Sequence, residues 1–172
     1  VVALAREGGA IGTLQSPILE FDARDQAQLK RDLDVAQRPA ALLSQTVNQL
    51  QARLQDAEKD REKLTDKRWQ ATFDLAMGQA LATVVRVDGY NGMLAQLKTG
   101  KNFTNPKADL WVLEAADSID TTSLMANKLA AARKYLQRVV DEHPGTPWAH
   151  IAEIELRTPI GYVWKEVDTD RR

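Results

Sequence analysis

The sequence predicts an all-α fold of long antiparallel or coiled-coil-like helices followed by a helical hairpin, with short extended segments at both ends. Three observations predict it. Leu43, Val47, Leu50, Leu54, Ala57, Arg61 and Leu64 recur at alternating spacings of four and three, a heptad seam. From Trp69 an apolar stripe broadens over Phe73, Ala76, Ala80, Val84 and Val87. Finally, His143-Pro144-Gly145-Thr146-Pro147 reads as one helix stopping and another starting.

The N-terminal segment combines Val1-Val2-Ala3-Leu4-Ala5, glycines at 8, 9 and 12, and Ile18-Leu19-Glu20-Phe21, which suggests short extended pieces around a turn. Asp22 is a plausible N-cap for a first helix carrying Leu29, Leu33 and Ala36. That helix should stop before Pro39, because the residue preceding a proline disfavours the α region. Pro39 then suits the first turn of the seam helix, whose charge-dense stretch from Asp56 to Arg68 pairs charges three or four apart on its surface. Leu75, Ala82 and Val85 add apolar character to the far side of the next stretch, making it the most buried helix, extending to about Thr99. Whether Pro39 to Thr99 is one helix or folds back is open at this stage.

Gly100 to Thr121 reads as a connector, rich in turn formers, with Trp111-Val112-Leu113 as its compact apolar anchor. Met125, Leu129, Ala132, Leu136 and Val139 then repeat at helical spacing, and Thr146 caps a last helix with Pro147 in its first position. After Pro159, Ile160, Tyr162 and Trp164 share one face of an extended tail that could dock as a strand. The organisation expected is an N-terminal segment at 1–21, a long-helix region with connector at 22–121, a hairpin at 122–157 and a tail at 158–172.

With 172 residues, 44% hydrophobic and 27% charged, the chain is long and apolar enough to bury a core without disulfide or metal support. There is no cysteine, so thiolate catalysis and cysteine zinc sites are excluded. A net charge of -1 gives no general attraction to nucleic acid or anionic membrane. No run of about 18 apolar residues is present, so no membrane insertion is expected. The start at Val1-Val2, without methionine, suggests a piece of something longer.

Ala132, Leu136, Val139 and Pro144 are spaced as in the second-helix half of a tetratricopeptide repeat, and residues 124–157 resemble a hairpin of that type. The following helix departs from the repeat, with His150, Glu153 and Ile154 where an aromatic, a leucine and a glycine belong. Arg68-Trp69-Gln70-Ala71, Tyr90-Asn91-Gly92-Met93-Leu94-Ala95 and His143 to Ala149 together resemble the C-terminal helical region of bacterial von Willebrand factor type A domain proteins. The Asp-x-Ser-x-Ser metal motif of the type A domain is absent, so the resemblance implies an accessory helical region and carries over no binding residue.

Individual residues invite chemistry. His143 and His150 flank the hairpin turn near Glu142 and Glu153, and His150 and Glu153 share a helical face at metal-site spacing; against this, a wheel puts His150, Glu153 and Arg157 opposite Trp148 and Ala152, where solvated groups belong. Glu155 falls within the apolar arc of Trp148, Ile151 and Ala152 and requires a partner, expected to be Arg133, Lys128 or backbone amides. The glycine cluster lacks the spacing and the lysine of a phosphate loop. Lys128, Arg133, Lys134 and Arg138 make a basic side that reads as a solvated face. No Ser-His-Asp set is recognisable.

The function expected is a non-enzymatic helical scaffold or protein interaction module, without cofactor or nucleic-acid partner. It would act through a protein partner or self-association, with Leu43, Val47, Leu50, Leu54, Tyr162 and Trp164 as the contact surface. The alternative is a metal-binding or hydrolytic domain using His143, His150 and neighbouring glutamates.

Overall fold

The fold is known from a computed structural model that describes residues 16–171; the Val1 to Ala5 run and the glycine cluster lie outside the described residues. In chain order the elements are β1 (Glu20–Asp22), α1 (Gln26–Ala57), α2 (Lys67–Lys98), β2 (Leu110–Ala116), α3 (Ser123–Glu142), α4 (Pro147–Arg157) and β3 (Gly161–Val167). Short 3-10 turns occupy Glu58–Lys63 and Thr169–Arg171. The molecule is predominantly helical, as the periodicity requires, and departs from an all-α fold in one small sheet.

Helix α1 begins later and runs further than the sequence suggests. Its cap is Asp25, whose carboxylate accepts from the Ala27 and Gln28 amides at 2.8 and 3.1 Å, whereas Asp22 closes β1 and holds Arg24. Pro39 starts no new helix; it lies inside α1. An interior proline leaves the carbonyl four residues back, here Val35, without its helical donor. Val35 is 55% exposed, so the break falls on a turn that water can reach.

The chain does fold back. After Ala57 the 3-10 turn and an extended Leu64 lead to Asp66, which caps α2 by accepting from the Arg68 amide. Helices α1 and α2 therefore run antiparallel. Val47 packs on Val84 and Val87, Leu54 on the cluster of Met77 and Leu81, and Leu29, Leu33 and Ala36 on Met93, Leu94 and Leu97. The heptad seam thus finds its partner within the same chain.

The stretch read as a connector supplies the central strand. β2 pairs antiparallel with β1 on one edge, Phe21 opposite Trp111, and with β3 on the other, Leu113 opposite Trp164. Both extended segments read from the sequence meet there. Trp111 is stacked under Phe103 with ring centroids 4.4 Å apart and meets Trp164 edge-on at 5.7 Å, so the anchor role expected of this tryptophan is filled within a sheet.

Helices α3 and α4 form the hairpin. Thr122 caps α3, Gly145 takes φ +72° in the turn, and Thr146 Oγ1 accepts from the Ala149 amide at 3.2 Å with Pro147 in the first turn. α3 lies close against α2: a Cβ on Gly78 would stand 2.7 Å from Leu136 Cγ. Ala149 and Ala152, both buried, give α4 a flat inner face against α3.

Candidate functional site

Glu155 is paired as the wheel demanded, but by another residue. Arg86 on α2 donates from Nη1 to Glu155 Oε1 at 2.5 Å, and the Glu155 side chain keeps only 19% of its exposure. Arg133, the expected partner, instead binds Asp117, and Lys128 reaches Asn48 at 3.4 Å. The Arg86 to Glu155 pair joins residues 69 positions apart and pins α4 to α2.

A second charged centre was not anticipated. Asp74 is fully buried on α2 and accepts from Arg61 Nη2 at 2.6 Å and from Arg138 on α3. Arg61 also donates to Glu142 at 2.9 Å. The Asp74 hydrogen bond above all, with help from Glu142, raises the Arg61 pKa beyond its ordinary value against the opposing effect of burial. Arg61 correspondingly holds the Glu142 carboxyl below its usual range. Two signals in the sequence mark this centre: a carboxylate between Phe73 and Leu75 in the helix expected to be most buried, and an arginine breaking the heptad seam.

The residues expected to form the contact surface are largely used internally. Val47 is buried, Leu43, Leu50 and Leu54 are half-buried, and Leu43 and Leu54 pack on α2 clusters. Tyr162 meets Tyr90 edge-on at 6.2 Å, and Trp164 meets Phe21 at 6.0 Å. Of the basic residues on α3, Lys128, Arg133 and Arg138 serve the internal contacts described above, and Lys134 is exposed.

His143 is buried at the C-terminus of α3, whereas His150 is exposed on α4, so the structure does not bring the two imidazoles into one setting. Glu153 pairs with Arg157 at 3.4 Å. Among the described residues, no three His, Asp or Glu side chains are grouped closely enough to hold a metal ion.

The surface that is left open lies elsewhere. Ile151 and Ile154, three residues apart on α4, are 42% and 50% exposed, so the apolar arc is rotated from the one the wheel gave. Near them Trp148 is half-buried, its indole N–H donating to Thr72 Oγ1 at 3.1 Å and its ring lying 5.9 Å from the Arg68 guanidinium. Trp69, expected in the buried face of α2, is 58% exposed at the same end of that helix. Ile151 and Ile154 beside Trp148 thus make the outer side of α4 an apolar surface with an aromatic at its start, side-chain types that protein interfaces use.

No family model matches the chain, and neither a curated protein nor a solved structure does. No described helix is long and apolar enough to cross a membrane.

Proposed function

We propose that this chain is a non-enzymatic helical interaction module, an accessory region of a larger protein, whose contact surface is the outer side of α4. The observation that carries the reading is the exposure of Ile151 and Ile154 beside a half-buried Trp148 on the same helix. Large apolar side chains gathered on one face mark binding surfaces, whereas scattered ones do not. The charged residues set between the helices are engaged in contacts that hold them together, with Arg86 on Glu155 and Arg61 and Arg138 on Asp74.

The α3 and α4 pair is read as a tetratricopeptide-like hairpin, supported by burial of Ala132, Leu136 and Val139 at the repeat's apolar positions. The segments resembling the helical region of type A domain proteins include the one carrying Trp148, at the start of the α4 surface. The occupant is a protein, either a different one or a second copy.

A photo-crosslinking side chain placed at Ile154 in the parent cell tests this, with the exposed Arg53 on α1 as the control position. The expected result is one discrete adduct at Ile154, competed away by the purified chain and missing at Arg53. Identical adducts at both positions, or none at Ile154, would overturn the proposal.

A further inference from the structure

Residues 101–107 carry the chain from the end of α2 to the start of β2, and both ends of this strap are fixed. The Thr99 amide donates to the Ala95 carbonyl at 2.9 Å where α2 closes, and the Asp109 amide donates to the Val167 carbonyl at 3.0 Å where the sheet begins. Next to the first anchor Gly100 takes φ +95°, a conformation that glycine adopts without strain and that turns the chain out of the helix. Every side chain of the strap is exposed except Phe103, which is half-buried.

Two kinds of contact hold its middle down. The first is polar. Glu166 of β3 accepts from the Thr104 amide on both carboxylate oxygens, at 2.8 and 3.0 Å, and from the Asn105 amide on Oε2 at 2.6 Å. These amides, Asn105 before Thr104, hold the Glu166 carboxyl below its usual range, so the latch is charged near neutrality. The second is aromatic. The Phe103 ring stacks on Trp111 with centroids 4.4 Å apart, and Lys101 Nζ lies 6.0 Å from the same indole. Among the described residues, 102–106 make one other backbone–backbone hydrogen bond, a local turn from the Ala108 amide to the Asn105 carbonyl at 3.0 Å.

A segment with an exposed backbone and few anchors opens at a free energy well below that of the fold around it. Here the anchors gather on one carboxylate and one ring, whereas the neighbouring β2 is paired on both edges. We propose that residues 101–107 open as one unit about Gly100, unlatched from Glu166 and uncovering the Trp111 ring, while the helices and the sheet stay folded. Trp111 is 2% exposed with the strap down, so opening turns a buried indole into an accessible aromatic face, a side-chain type that binding surfaces favour. The inference does not rest on the α4 surface, and either can fail alone.

Amide hydrogen exchange of the full chain, followed by NMR across low urea concentrations, tests it. In the unaltered chain Thr104 and Asn105 should exchange through an opening almost independent of urea, while Leu113, bonded to the Leu19 carbonyl at 2.7 Å, exchanges with the steep dependence of global unfolding. Glu166→Gln should speed exchange at Thr104 and Asn105 by about tenfold or more, the worth of one charge-assisted hydrogen bond, and should move the Trp111 indole resonance towards its position in Phe103→Ala. Phe103→Ala should speed the same two amides, because ring and latch belong to one unit. A urea dependence at Thr104 and Asn105 equal to that at Leu113 would overturn the proposal, as would exchange unmoved by Glu166→Gln or by Phe103→Ala. Should either variant unfold, the urea dependence in the unaltered chain still decides the question.

Discussion

Arg61 reaches across the chain reversal to the fully buried Asp74, Nη2 to Oδ2 at 2.6 Å, and so closes the turn between the two longest helices. The arginine that interrupts the heptad seam is where the seam ends and the turn begins. Removing one partner of a buried ion pair leaves the other charge uncompensated, at a cost of about 3–5 kcal/mol. Asp74→Ala should therefore lower the unfolding free energy by about that amount. Arg138→Ala should cost less, since Arg138 is 27% exposed and Arg61 still serves Asp74. Urea titration of both variants checks the order, and equal losses would contradict it.

Two glycines separate close backbone approach from side-chain crowding. A Cβ on Gly161, at the start of β3, would lie 2.1 Å from the Ser118 carbonyl oxygen, whereas one on Gly89 in α2 would meet Ile119 Cδ1, the far end of a flexible side chain. Gly161→Ala should cost about 1–3 kcal/mol, as overpacking does. Gly89→Ala should be nearly neutral, because alanine's helix preference of about 1 kcal/mol offsets the displacement of Ile119. Thermal unfolding of the pair distinguishes the two cases.

Pro39 within α1 is a local weakness held in place by packing. Alanine there restores a donor for the Val35 carbonyl and relieves the ring, so Pro39→Ala should stabilise the protein by about 1–3 kcal/mol. A loss of stability on this substitution would show that the proline geometry is itself required.

Tyr90 links α2 to the segment before β1 through its hydroxyl, and burial, with Tyr162 nearby, pushes its pKa from 10.0 up to about 12. A phenol whose folded pKa is raised contributes stability that is complete below pH 10 and is lost as pH climbs from 10 towards 12. The unaltered chain should exceed Tyr90→Phe by about 0.5–1.5 kcal/mol near neutrality, the net worth of a hydrogen bond. That margin should shrink above pH 10 when urea midpoints are compared. A margin independent of pH would contradict the assignment.

The hairpin was legible because its signals are local: Thr146, Pro147 and Gly145 each specify backbone geometry within a few residues. The seam was legible as a period, and its partner was not, since a heptad pattern presents the same face to a helix in cis or in trans. Pro39 misled because a proline in a first turn and one tolerated mid-helix share one local signature, and only packing on α2 separates them. β2 was hidden for a similar reason. Trp111, Val112 and Leu113 give an apolar patch too short to declare a strand until Phe21 and Trp164 lie on either side. For Glu155 the need for a partner could be read from the wheel, but Arg86 is 69 residues away and entered only through the approach of α4 to α2.

The central claim is that the outer side of α4 is a contact surface that the fold itself does not need. Ile151→Asp combined with Ile154→Asp tests it, with thermal unfolding and a crosslink taken from the exposed His150, one turn before Ile154, measured on the same variant. Both positions are substantially exposed, so stability should change by no more than about 0.5 kcal/mol per site while the adduct disappears. An adduct that survives both charges, or a chain that no longer folds, would contradict the account.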